Sequence, residues 1–308
     1  MGVRIGWRDL PAHVRAAVEA IVGGTVVEAL SQPGGFSPGT ADRVRTADGK
    51  RAFVKAVSPA QNERSPGLIR REAEVLAALP DGVPAPRLLG RHDDGDWAAV
   101  VLEDVEGRHP VTPWLPAELD LVRTALGDLS RATAPPGSPA ATDRLAEDFA
   151  GWDRIHADPP ADLDPWVVAH LDELRELAGR GLAALTGEAL VHTDIRADNL
   201  LIGPDGALTI VDWPWACRGP VWLDTLLLLI NVRLHGGHDT LALLTGCAEA
   251  TGADPDDLVA ALAGFAGFFV DAARQPPPTG LPTVRAFQRA HATAVLPWLR
   301  ELRHRGAR

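Results

Sequence analysis

Lysine is nearly missing from this chain. Of its 30 basic side chains only Lys50 and Lys55 are lysine. Arginine therefore fills the positions where either cation would serve. A retained lysine then marks a place that needs a compact point charge instead of a wide planar fork. Lys50 follows Asp48-Gly49 in an evident turn and needs no such reason; Lys55 does. Cysteine is also scarce, with Cys217 and Cys247 alone. That excludes a disulfide framework, argues for a cytoplasmic location and leaves no Cys/His cluster of zinc spacing. Long apolar runs are absent. The longest, Leu226 to Ile230, lies in a stretch broken by Asp224 and Asn231, too short to span a bilayer, and Met1 to Leu10 has no apolar leader core. No membrane partner is expected. Positive charge is not in excess: the net charge of −11 is the reverse of a duplex-binding balance, so no nucleic-acid partner is expected either. There is no Gly-x-x-x-x-Gly-Lys-Ser/Thr, which removes the P-loop architectures.

What is present describes an ordinary folded protein. The 308 residues exceed one minimal core and suit two linked lobes. The acidic charge is uneven. Between Ala141 and Glu176 ten Asp or Glu face three Arg, whereas from Arg285 to Arg308 six Arg accompany Glu301 alone. Solvated helix faces are the ordinary explanation; an acidic lip for a cationic substrate is the functional one.

Along the chain the pattern changes once. Leu10 to Val22 reads as a short helix, followed by strands at Thr25 to Leu30, Thr40 to Thr46 and Arg51 to Val57. A glycine loop, Ser31 to Gly39, separates the first two, and a hairpin turn at Ala47 to Lys50 the others. Leu68 to Leu79 is a strong helix former ended by Pro80, Pro84 and Pro86. Arg87 to His92 and Trp97 to Leu102 read as two further strands. After the polar connector Glu103 to Gly107 helices dominate: Pro116 to Ala132, Thr142 to Ile155, Pro165 to Leu185, Leu223 to His235, Thr240 to Ala250, Pro255 to Ala273 and Val284 to Leu302. Two short strands, Leu200 to Ile202 and Leu208 to Val211, interrupt them. The pattern predicts a sheet-rich N-terminal lobe and a larger helical C-terminal lobe, divided as residues 1–104 and 105–308.

The informative cluster is His192-x-Asp194-x-x-x-x-Asn199, with Asp212 thirteen residues after the asparagine. Phosphoryl transfer needs one carboxylate to orient the attacking hydroxyl and accept its proton. It also needs an oxygen ligand and a second carboxylate to hold Mg²⁺ against nucleotide phosphates. Asp194 lies before the short hairpin, while Asn199 and Asp212 flank it, which fits this order. The competing explanation is a set of turn-forming Asp and Asn residues.

The segment resembles the catalytic and metal loops of protein-kinase-like enzymes, and the aminoglycoside phosphotransferase family in particular, because Asp212 is followed by Trp213 instead of Phe-Gly. Ala52-Phe53-Val54-Lys55 resembles the third-strand lysine that neutralises nucleotide phosphates. Glu72 matches the helix glutamate that pairs with it, with Glu74 as the alternative. Gly34-Gly35-Phe36-Ser37-Pro38 resembles the phosphate-covering loop, Ser37 included, and Glu103 to Val105 the connector that meets adenine. Asp224 resembles the buried brace of the catalytic loop. The resemblance runs from about Thr25 to Leu228. It departs at Thr193, where glycine is usual, and at the bulky Pro214-Trp215. Arg196 fits either a contact to the γ-phosphate or acceptor, or a salt bridge at the loop edge.

The resemblance implies an α+β, protein-kinase-like two-lobe fold, with a small β-sheet N-lobe carrying one main helix and a larger, mostly helical C-lobe. It implies ATP and Mg²⁺ as cofactors and a small-molecule hydroxyl acceptor, with an antibiotic as the first candidate. A metabolic kinase of choline, homoserine or fructosamine type is the alternative, and an inactive nucleotide-binding module a third. A monomer or homodimer is expected.

Overall fold

Period-two alternation governs the N-terminal third, and it produces a five-stranded antiparallel sheet in the computed structural model, which describes residues 3–36 and 38–306. Its strands are β1 (Val26–Ser31), β2 (Thr40–Thr46), β3 (Arg51–Val57), β4 (Leu88–Asp93) and β5 (Ala98–Leu102), in the order β1-β2-β3-β5-β4. The β2–β3 register sets Ala41 opposite Lys55 and Val44 opposite Ala52. One face thus sends Val44, Ala52, Val54 and Ala56 into a core shared with helix α1 (Ala12–Val22), which contributes Val14, Val18 and Val22 at four-residue spacing. Lys55, of opposite parity to Val54 and Ala56, belongs to the other face.

Helix α2 (Ser65–Ala78) starts where Asn62 Oδ1 accepts the N–H groups of Arg64 and Ser65, at 3.0 and 3.1 Å. It stops at Leu79-Pro80. Its buried stripe is Ile69, Glu72, Ala73 and Leu76, spaced i, i+3, i+4, i+7, so one carboxylate sits where an apolar residue would be expected.

The chain groups into two compact units. The first comprises Met1–Pro110, Asp198–Trp215 and Pro277–Val284; the second comprises Val111–Ala197, Ala216–Pro276 and Arg285–Arg308. In the first unit the later segments are bonded into the sheet region. The hairpin Leu200–Ile202 and Leu208–Ile210 spends an edge on Arg108, whose N–H reaches Ile202 O at 3.1 Å, and Ile210 N–H reaches Pro84 O at 2.6 Å. Val3 N–H donates to Gly280 O at 2.8 Å and Asn62 Nδ2 to Thr279 O at 2.8 Å.

The second unit holds α3 (Pro116–Leu129), α4 (Ala141–Arg144), α5 (Ala146–Phe149), α6 (Gly151–Ala157), α7 (Pro165–Ala184), α8 (Leu223–His235), α9 (Thr240–Thr251), α10 (Pro255–Arg274) and most of α11 (Val284–Gly306). A short pair, Ala189–Val191 with Cys217–Gly219, completes it; the second of these strands carries no sequence signal. Its core is built around α10, which packs on α5, α6 and α7. The sequence predicts one helix over Thr142 to Ile155, and the structure has three short ones. The cause is backbone contact with α10. A Cβ on Gly151 would come within 2.4 Å of the Gly267 carbonyl, and one on Gly264 within 2.2 Å of the Phe149 ring. Seating Phe149 and Trp152 on that glycine surface bends the segment off a single axis. Among the described residues no helix is long and apolar enough to cross a membrane.

Candidate active site

Two clusters carry the site residues, one in each unit. In the first, Lys55 Nζ lies 2.7 and 2.9 Å from the two Glu72 carboxylate oxygens and 2.8 Å from Asp212 Oδ1. The β3 register and the buried stripe of α2 place the first pair, and Asp212 arrives at the end of the short hairpin. Glu72 is 1% exposed and the Asp212 side chain 37%, so the lysine spans from a buried anion to an accessible one. Burial works against the Lys55 charge, but Asp212 and Glu72 outweigh it and the ammonium is held above its ordinary range. Burial pushes the Glu72 carboxyl upward, with Lys55 opposing and Asp212 adding to it. Glu74, the alternative partner, is exposed.

The loop around Asp212 is held firmly. Asn199 O accepts from Val211 N at 2.9 Å, closing the hairpin so that Asn199 and Asp212 flank it. Trp213 is fully buried and its Nε1 donates to Ile210 O at 2.7 Å, while its backbone N–H bonds the Glu72 carboxylate. Asp212 itself has φ +72°, a conformation uncommon for a residue with a side chain. A carboxylate and an amide oxygen are hard donors and suit Mg²⁺.

The connector after β5 is pinned by a residue that the motif pattern passes over. Asp104 is nearly buried and binds Arg43 Nε at 2.5 Å and Arg51 Nε at 2.7 Å, tying the connector to β2 and β3. Glu103 N–H is used by Arg87 O at 2.9 Å. Pairing of Asp104 with two arginines far apart in sequence gives no local signal. Ser37 lies outside the described residues. Its neighbours Gly34 and Gly35 both take positive φ, +94° and +70°.

In the second unit, the loop His192 to Arg196 hangs from one buried carboxylate. Asp224 Oδ2 accepts from His192 N at 2.7 Å and Oδ1 from Thr193 N at 2.8 Å. Thr193 has φ +64°, which explains why glycine is usual there. The His192 ring is buried, and its Nδ1 accepts from Asp194 N at 3.2 Å. Burial raises the Asp224 carboxyl above its ordinary value; His192 and the two N–H bonds oppose that. Arg196 Nη1 lies 2.5 Å from Asp194 Oδ1, with its guanidinium 5.2 Å from the Phe287 ring centroid. Asn231, absent from the motif reading, ties the loop's end: its Oδ1 accepts from Trp114 Nε1 at 3.2 Å and Ala197 N at 3.4 Å.

The uneven charge of the sequence is answered inside this unit. Arg300 pairs with Asp164 at 2.9 Å, Arg303 with Glu173, and Arg274 with Asp158 at 2.9 Å.

A family model described as the phosphotransferase enzyme family matches residues 33–255. No curated protein matches the chain. Among solved structures, an aminoglycoside phosphotransferase from Alicyclobacillus acidocaldarius is 18% identical with a TM-score of 0.54, over 92% of this chain and 95% of that one. The choline kinase LicA from Streptococcus pneumoniae is 14% identical with a TM-score of 0.59, over 93% and 100%. The amicoumacin kinase hAmiN, solved in complex with AMP-PNP, Ca²⁺ and Ami, is 16% identical with a TM-score of 0.60, over 95% and 94%. At these identities the likeness is one of fold.

Proposed function

Because the chain belongs to the phosphotransferase enzyme family, we propose that it transfers the γ-phosphoryl group of ATP to a hydroxyl of a small molecule. The observation that carries this reading is Lys55 held between Glu72 and Asp212. A cation so placed neutralises nucleotide phosphates and keeps its proton while doing so.

The roles follow from position. We assign nucleotide binding to residues 1–104: Lys55 meets the phosphates, Glu72 orients Lys55, and Glu103 O with Val105 N–H meets adenine. Ser37, by its place in the glycine loop, adds a hydroxyl to the phosphates. Asn199 and Asp212 would hold Mg²⁺, which supplies charge neutralisation between the phosphates when bound. Residues 105–308 supply acceptor binding and the base. Asp194 orients the acceptor hydroxyl and takes its proton. Arg196, bonded to Asp194, holds that carboxylate in place. The catalysis is positioning and electrostatic stabilisation, with no covalent intermediate on the chain.

An antibiotic is the first acceptor class to test. Metabolic alcohols of the choline, homoserine or fructosamine kind are the second, and the internal ion pairs of the acidic stretch favour them over a polycation. Mass spectrometry with MgATP across both panels identifies the acceptor by a phosphate mass gain. On that acceptor Asp194→Asn is expected to lower kcat by about 10²- to 10⁴-fold. Near wild-type turnover in that variant sinks the mechanism. Nucleotide binding with no transfer to any acceptor favours an inactive binding module.

A further inference from the structure

The segment ahead of α1 runs beside the glycine loop and brings an arginine to it. Ile5 N–H donates to Gly39 O at 3.2 Å and Gly39 N–H to Val3 O at 3.3 Å, so Arg4 bridges to Gly39 where β2 begins. With Val3 N–H also bound to Gly280 O, the backbone on either side of Arg4 is fixed. Arg4 Nη2 donates to Gly34 O at 2.9 Å. The approach is close: a Cβ on Gly35 would sit 3.0 Å from that nitrogen.

The guanidinium is under-used by the protein. Among the described residues the Gly34 carbonyl is the one acceptor it reaches, and its Nε is buried with no partner. Burial pulls the Arg4 guanidinium below its ordinary range, while the charges of Asp212 and, less strongly, Asp42 oppose this. Neither carboxylate bonds it. Asp42 Oδ1 accepts from the Ser31 hydroxyl at 2.5 Å, and its Oδ2 is buried with no partner among the described residues. A clamp on the loop accounts for the Gly34 bond. It does not account for a desolvated cation with spare donors, placed under the influence of the carboxylate assigned to the metal. An anion with several acceptor oxygens does.

We infer that Arg4 is a second phosphate-binding cation, which takes phosphate oxygens of the bound nucleotide from beneath the glycine loop while Lys55 serves them from β3. The inference rests on the phosphotransferase reading for the identity of the anion. It adds a residue outside the span matched by the family model, which begins at residue 33.

Two variants separate charge from clamp. Arg4→Ala removes both; Arg4→Gln keeps a donor for Gly34 O and removes the charge. Titration calorimetry on the full chain, without acceptor, measures ATP, ADP and adenosine, and thermal melting checks folding. Both variants are expected to weaken ATP and ADP by about ten- to hundredfold, the loss of one charge-assisted contact, and to leave adenosine within twofold. The inference is overturned if Arg4→Gln binds ATP as wild type does, or if adenosine weakens by the same factor as ATP. If Arg4→Ala fails to fold, Arg4→Gln decides alone. A wild-type chain that binds ATP no more tightly than adenosine overturns it as well. A chain that binds ATP with this Arg4 dependence, yet phosphorylates nothing, sinks the transfer reading and leaves Arg4 as a phosphate ligand.

Discussion

Replacing Asp224 with asparagine should loosen the loop that carries Asp194, and the size of the effect can be worked out. Each carboxylate oxygen accepts one backbone N–H, from His192 at 2.7 Å and Thr193 at 2.8 Å. The amide keeps one oxygen and turns an NH₂ toward the other donor. One charge-assisted bond is lost and one buried N–H is left unpaired, at about 1.5–3 kcal/mol. Two effects offset part of this. Thr193 at φ +64° stores strain of order 1–3 kcal/mol, some of which is released when the loop relaxes. The buried charge also disappears. Because burial raises the Asp224 carboxyl in the folded state, its contribution to stability is full below the unfolded carboxylate value of about 4 and is lost as pH rises through the folded value. A net loss of about 1–2 kcal/mol is therefore expected at pH 7, with a flatter stability profile above pH 4. Urea unfolding reads the stability, and kcat on the identified acceptor should drop at least tenfold as the base loses its place. Thr193→Gly separates strain from bonding: it should stabilise the wild type by about 1 kcal/mol and the Asp224→Asn background by less, a non-additivity that marks coupled residues. If Asp224→Asn matches wild type in both urea midpoint and kcat, the carboxylate does not hold the loop and the reasoning fails.

Two further outcomes can be checked. Lys55→Met leaves Glu72 and Asp212 without their cation, so it should cost about 3 kcal/mol in urea unfolding and abolish turnover, and a stable, active variant would contradict the assigned role. Asp93 is held at about 2, mainly by its bond to Arg70 and then by Gly95 N–H. Its folded value lies below the unfolded one, so its small contribution is present above pH 4 and fades as pH falls toward 2. Carboxyl NMR titration should show this, and Arg70→Ala should move Asp93 back toward the ordinary range.

The strands and most helices were legible because their signals are local. Alternation over Thr40 to Thr46 and Arg51 to Val57 and the Asp48-Gly49 turn required no knowledge of the rest of the chain, and the structure begins and ends those two strands at the same residues. Glu72 was readable from the family resemblance, with Glu74 left as the alternative, and its place in the buried stripe of α2 became visible only in the structure. The division of Thr142 to Ile155 was not readable, because Gly264 and Gly267 lie over a hundred residues away. Arg4 and Asp104 were silent for the same reason: their partners, Gly34, Arg43 and Arg51, become neighbours only in the folded sheet. Thr193 was noticed as a departure from glycine, but its cost became clear only from its dihedral angle and the carboxylate that offsets it.

During synthesis the first unit cannot be completed when its strands leave the ribosome. Lys55 waits for Asp212, and Val3 and Asn62 wait for the carbonyls of Gly280 and Thr279. The second unit's segment Val111–Ala197 is translated in between. Such long sequence separations slow folding and keep sheet edges unpaired until late. For the same reason, exchanging residues 1–104 with those of a relative by one crossover separates the sheet from the later segments that finish it. A working chimera needs the matching hairpin and the 277–284 segment from the same parent.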